Sequence, residues 1–172
     1  FNLLNSNVNS ITFFGTTGEG PSLSFNEKLL SIDYLLKRNL KLKHIIVSII
    51  ATSFETAKFE IKQYNELGIR NFLIAPPYFF KESNQIAIED WFIKVFSNLK
   101  NYNRFFLYNI PQITKVKITF ELVEKLQKRF GPSQIVGIKD SSGDIDQANR
   151  FLKLKDIIIK LLLNLRRNFL MI

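Results

Sequence analysis

The chain has 172 residues, 46 % hydrophobic and 23 % charged, enough for one sizeable core and a balance that excludes wholesale disorder, collagen-like repeats and a disulfide scaffold. Cysteine is absent and His44 is the only histidine, so a thiolate nucleophile, Cys-ligated zinc, a His-rich metal site and a Ser-His-Asp triad all drop out. Lys and Arg outnumber Asp and Glu by 24 to 15, for a net charge of +9, and the excess gathers at the end, where residues 151–172 carry Lys153, Lys155, Lys160, Arg166 and Arg167 against Asp156.

The opening FNLLNSNVNS has neither the basic start nor the apolar centre of a signal peptide, and no stretch of 18 apolar residues follows. A cytoplasmic chain with no membrane partner is expected. Because it starts at Phe1 and holds its only methionine at Met171, it reads as a fragment. ITFF at 11–14 then ends in the glycine-bearing turn GTTGEG, and Ser24 with Glu27 forms an S-x-x-E capping box before Leu29, Leu30, Ile32, Leu35 and Leu36. This is strand, loop, helix. KHIIVSII repeats the unit, with Ser53 as N-cap, Ala57, Ile61 and Tyr64 on an apolar face, and Gly68 as C-cap.

NFLIAPPYFF, FFLYNIP and QIVGIKDSS supply three more short apolar runs, separated by helical patterns over Trp91–Leu99 and Leu122–Phe130. Thr119 is placed to start the second helix, and Gly131 and Pro132 to end it. The runs begin about 30 residues apart, the length of successive βα units, so their strands are expected to be parallel. Periodicity alone leaves a doubly wound sheet open. GTTGE, PPYF, YNIP and KDSSG nevertheless put polar residues at several consecutive strand ends, which favours one end of a barrel over a single switch point. Residues 151–172 lack turn signals and strand-end chemistry; they read either as one more amphipathic helix or as sequence foreign to the fold.

Three strand ends carry candidate chemistry. Lys139 closes the uncharged run QIVGI, where a strand would deliver its amine into a dry pocket. Desolvation there favours the free amine that attacks carbonyls, although most strand-end lysines are simply solvated. Tyr108 ends FFLY one unit upstream, and a phenol there can pass a proton. Thr16 and Thr17, between Gly15 and Gly18, offer hydroxyls and accessible N–H groups able to nest a carboxylate, with Glu19 in a supporting place. GTTGEG has neither the Walker A ending nor dinucleotide-binding spacing. The aromatic residues fall in apolar runs, so a nucleic-acid partner is not expected.

Together, GTTGE at 15–19, PPYF at 76–79, YNIP at 108–111 and GIKDSSGD at 137–144 resemble the dihydrodipicolinate synthase and N-acetylneuraminate lyase family over roughly residues 1–150. The resemblance implies an α/β fold, part of a (β/α)8 TIM barrel spanning the family's strands two to six. It also implies a class I aldolase or lyase that joins or splits pyruvate and an aldehyde. By it, Lys139 forms the Schiff base, Tyr108 transfers protons, Thr16 links the hydroxyl relay, and Thr17 with the Gly15–Gly18 turn binds the carboxylate of a 2-oxo acid. No metal or organic cofactor is implied, and the full-length enzyme is expected to be a homo-oligomer. Two departures bear on the substrate: Phe79 stands where synthases carry a second relay tyrosine, and Ile113 where an arginine holds a second carboxylate. They favour a 2-keto-3-deoxy sugar acid or related 2-oxo acid over the 4-hydroxy-tetrahydrodipicolinate synthase reaction of lysine biosynthesis. A noncatalytic, degenerate fragment is the remaining reading.

Overall fold

The computed structural model describes residues 9–78, 84–154 and, as backbone, 158–161. Its strands are β1 (Ile11–Phe13), β2 (Ile45–Ile49), β3 (Asn71–Ile74), β4 (Arg104–Asn109), β5 (Ile135–Asp140) and β6 (Ile158–Leu161). The helices are α1 (Phe25–Lys37), α2 (Phe54–Glu66), α3 (Gln85–Phe96), α4 (Pro111–Thr114), α5 (Phe120–Phe130) and α6 (Ile145–Phe151). All strands pair in parallel in the order β1-β2-β3-β4-β5-β6. A doubly wound sheet reverses its strand order at a switch point; an unreversed run of parallel strands is a segment of barrel wall.

Alternation along the strands sorts side chains to two faces. Ile45, Val47 and Ile49 of β2, Phe72 and Ile74 of β3, and Phe105 and Leu107 of β4 join the main core with Ile61, Tyr64, Phe92, Val95, Val123 and Leu126 from the helices. Ile46, Leu73, Ala75, Tyr108 and Ile110 form a second, smaller cluster. β2 is buried along its whole length, as both-face apolarity anticipates, whereas Thr12 of β1 is exposed.

The predicted helix signals act locally as read. The Ser24–Glu27 capping box closes in both directions, Ser53 Oγ accepts from the Glu55 and Thr56 amides, and Thr119 Oγ1 accepts from Leu122 N. Gly68 follows α2 with φ +86°, where a side chain would be strained. Two elements were not foreseen. Pro111, read as part of a strand-end loop, opens the single turn α4, a position where its missing N–H costs no helical bond.

The other is β6, which falls in the segment expected as helix or foreign tail. Ile158–Leu161 pair with Gly137–Asp140 and add a sixth strand to the five anticipated. The expected boundary at residue 150 also lies inside α6. Ile158 and Ile159 open β6 as a β-branched pair one short helix beyond β5, and adjacency to that strand gives the Ile158–Leu161 backbone partners despite the absence of turn residues. Among the described residues no helix is long and apolar enough to cross a membrane, and no cluster of His, Cys, Asp and Glu could hold a metal ion.

Candidate active site

The C-terminal ends of β1, β4 and β5 bring three of the sequence-predicted residues together. Tyr108 and Lys139 are direct register partners on β4 and β5, so their side chains leave the sheet on the same face. Lys139 Nζ stands 4.3 Å from the centroid of the Tyr108 ring. The Tyr108 hydroxyl lies 3.1 Å from Thr16 Oγ1, a hydrogen bond linking residues 92 positions apart. Tyr108 is 2 % exposed, wedged among Leu73, Ala75 and Ile110, so its ring has little freedom to turn away.

The turn after β1 is held by Glu19 N donating to the Thr16 carbonyl and Gly20 N donating to that of Gly15. Thr17 and Gly18 are exposed at its tip. A Cβ at Gly15 would meet nothing within 4 Å, and one at Gly18 only the Gly15 carbonyl at 3.9 Å, so the turn leaves open space beside its amides. Gly20 differs: a Cβ there would sit 1.9 Å from the Phe14 carbonyl oxygen. The chain doubles back so closely that only glycine fits, and buried Phe14 takes a left-handed φ of 60° in the same bend. Reading the motif as a ligand nest passed over Gly20, whose role appears only from the backbone it touches.

A second layer of contacts supports the strand ends. Asn109, fully buried, donates from Nδ2 to Asp140 Oδ1 at 2.8 Å. That oxygen also accepts from Ser142 N at 3.0 Å, and Asn109 Oδ1 accepts from Ile118 N at 3.0 Å. Gln112 Nε2 donates to the carbonyls of Ser141 and Ser142, tying the YNIP loop to the KDSS loop. Sequence analysis took Asn109 only as part of the YNIP strand end and did not single out Gln112; their partners on the KDSS loop lie about 30 residues away, beyond the reach of local pattern.

Among the described residues Lys139 is half-buried rather than enclosed, at the end of β5 in a sheet that runs from β1 to β6. Concavities of about 770 and 630 Å³ lie on the helical layer instead, one lined by Glu121, Lys128 and Leu154 and the other by Leu30, Tyr34 and Lys37 of α1. Ile113 is exposed within the single turn of α4. Phe79 lies outside the described residues.

The geometry has close counterparts. Dihydrodipicolinate synthase from Agrobacterium tumefaciens superposes with a TM-score of 0.84 at 34 % identity, over 89 % of this chain and 54 % of that one. The 2-dehydro-3-deoxy-D-gluconate/2-dehydro-3-deoxy-phosphogluconate aldolase of Picrophilus torridus is 32 % identical over 87 % of this chain and 53 % of its own length. N-acetylneuraminate lyase of Gallus gallus is 32 % identical over 81 % of this chain and 45 % of its own. The chain thus spans about half the length of the curated relatives it matches, and its six strands are part of the barrel those structures share. The family model covers residues 1–161, through the last residue of β6, and the chain belongs to the dihydrodipicolinate synthetase family.

Proposed function

We propose that the protein containing this chain is a Schiff-base-forming aldolase or lyase that makes or breaks a carbon–carbon bond between pyruvate and an aldehyde. The observation that carries the reading is the Lys139–Tyr108–Thr16 cluster, with an amine 4.3 Å from a phenol ring whose hydroxyl is within hydrogen-bond distance of a threonine. Lys139 Nζ, as the free amine, attacks the ketone carbon of the 2-oxo acid, and the carbonyl oxygen takes up a proton to give a carbinolamine. Protonation of that hydroxyl through Tyr108 releases water and leaves the iminium, which accepts the electron pair freed when the neighbouring carbon–carbon bond breaks. The hydroxyl on the departing carbon becomes the aldehyde carbonyl by returning a proton to the Tyr108 phenolate. Thr17 and the exposed amides of the Gly15–Gly18 turn hold the substrate carboxylate and orient the ketone toward the amine. Thr16 receives and returns the phenol's hydrogen bond. The chemistry needs neither metal nor organic cofactor.

For the compound that is split or built, a 2-keto-3-deoxy sugar acid or related 2-oxo acid is favoured over the product of the lysine-biosynthetic condensation. Ile113 cannot grip a second carboxylate as an arginine would, and Phe79 cannot relay a proton. Relatives of both kinds resemble the chain at similar identity, so the substrate reading rests on these two residues. A homo-oligomer and a cytoplasmic location accompany the proposal.

Borohydride reduction in the presence of pyruvate tests the reaction class. Covalent trapping is expected, absent from Lys139→Ala and slowed about 10²-fold or more in Tyr108→Phe with little change in the pyruvate concentration for half-maximal rate. Full trapping in Lys139→Ala would reject the mechanism. Comparing aldehyde partners tests the substrate class: sugar-derived aldehydes should outperform aspartate semialdehyde, and Ile113→Arg should shift preference toward the semialdehyde by about tenfold, the scale of one added charged hydrogen bond. A wild-type preference for the semialdehyde would overturn the reading of Ile113 while leaving the imine intact.

A further inference from the structure

The pairing of β4 with β5 is irregular. Phe105 lies opposite Ile135, but Phe106 lies opposite Gly137, so Val136 is an extra residue on β5. Only beyond this bulge do Leu107 and Ile138, Tyr108 and Lys139, and Asn109 and Asp140 come into register. Without it, continuing the Phe105–Ile135 pairing one residue at a time would set Ile138 beside Tyr108 and Lys139 beside Asn109. Because strand side chains alternate, that slip would carry the amine to the opposite face of the sheet. The reacting pair therefore depends on a choice between two registers, and the core favours the bulged one, since Ile138 lies in the main cluster with its partner Leu107 and the slip would turn it to the other face.

A polar contact also distinguishes the two registers. Asn109 and Asp140 follow the reacting residues on their strands, are buried to 0 % and 4 % exposure, and meet at 2.8 Å. Ile118 N, donating to Asn109 Oδ1, fixes the amide with its nitrogen toward the carboxylate. Ser142 N converges on the same carboxylate oxygen, and Ser141 N donates to the Asn109 carbonyl. In the slipped register the Asp140 carboxylate would be buried without its Asn109 donor, a costly state.

We infer that the Asn109–Asp140 hydrogen bond is a positioning clasp that holds β5 in its bulged register and so keeps the Lys139 amine against the Tyr108 ring. Neither residue touches substrate in this account. They act through Tyr108 and Lys139, and the catalytic consequence, though not the geometry, rests on the Schiff-base reading.

Position and chemistry are read separately in the protein that contains this chain. Reductive methylation with 13C-formaldehyde labels each lysine amine. The Lys139 signal, assigned by its loss in Lys139→Arg, should lie upfield of the other lysines through the ring current of Tyr108. Asn109→Asp sets two carboxylates against each other and should abolish that upfield shift. The double exchange N109D/D140N should restore it, because the swapped pair again has an amide facing a carboxylate and acceptors for Ile118 N–H and Ser142 N–H. If Asn109→Asp does not fold, Asn109→Ser, which withdraws the donor without adding charge, should lose the shift in its place.

In borohydride trapping with saturating pyruvate, Asn109→Asp should slow adduct formation about tenfold to a hundredfold, the cost of a misplaced reacting group. It should slow Tyr108→Phe far less, and the double exchange should recover the rate. An unchanged Lys139 resonance in Asn109→Asp, or a folded double exchange whose resonance stays displaced, overturns the clasp whatever trapping shows. A wild-type protein that displays the resonance pattern yet traps no pyruvate overturns the Schiff-base reading and leaves the clasp standing.

Discussion

At the scale of single residues, the site depends on two side chains that meet across strands and on one position where no side chain fits. Lys139 and Tyr108 share a face because β4 and β5 pair them directly, and Thr16 reaches the phenol from the turn after β1. That turn depends on Gly20, whose Cα hydrogen faces the Phe14 backbone. Gly20→Ala would drive a methyl into a carbonyl 1.9 Å away, so the backbone must shift. We expect thermal or denaturant unfolding to show a loss of about 1–3 kcal/mol, the usual cost of overpacking, with trapping of pyruvate slowed as Thr16 leaves Tyr108. A variant with wild-type stability and rate would show that the bend relaxes freely. The residues proposed to react stood out in sequence by type, as an amine and a phenol at the ends of uncharged runs. The contacts that aim them were not: the amide of Asn109 and the bulge at Val136 acquire meaning only when β4 and β5 lie side by side.

At the scale of elements, β1 to β5 and their caps follow from β-branched runs, Ser and Thr caps and terminal glycines. α4 and β6 escaped because a proline after a strand and a tail without turns give no boundary signal. The packing of α1 on α2 adds a titratable feature no periodicity would show. Glu60 of α2 is buried at 8 % exposure with Lys28 of α1 and Tyr64, and the Tyr64 hydroxyl has no hydrogen-bond partner. Burial raises the Glu60 carboxyl above its ordinary 4.5, with the Lys28 ammonium pulling partly back, while burial and then the Glu60 charge push the Tyr64 phenol above its usual range.

The folded protein therefore retains the Glu60 proton at pH values where the unfolded chain has released it. This contribution to stability is fully present below about 4.5 and is lost as pH rises through the folded value. Exposed Glu27 and Glu121 have the opposite sign, since hydrogen bonds to Ser24 for the first, and to its own backbone and Arg150 for the second, lower their pKa values. The difference between wild type and Glu60→Gln isolates the buried group: on raising pH from 4 toward 7, wild type should lose stability relative to the variant. A pH-independent difference would show that Glu60 titrates as it does in the unfolded chain.

At the scale of the whole molecule, the six described parallel strands carry the amine, the phenol and the Gly15–Gly18 turn at one end, while the relatives the chain matches are about twice as long. The core between sheet and helices is continuous from α1 to α6 and supports those strand ends from behind. The central claim is that this end of the sheet performs imine chemistry through one lysine among the many basic residues of a chain carrying +9. Peptide mass spectrometry after borohydride reduction with pyruvate addresses it most directly in the protein that contains this chain. The account predicts a single reduced pyruvate adduct on Lys139, lost in Lys139→Ala; an adduct reproducibly located on another lysine, or turnover that persists in Lys139→Ala with no adduct anywhere, would contradict it.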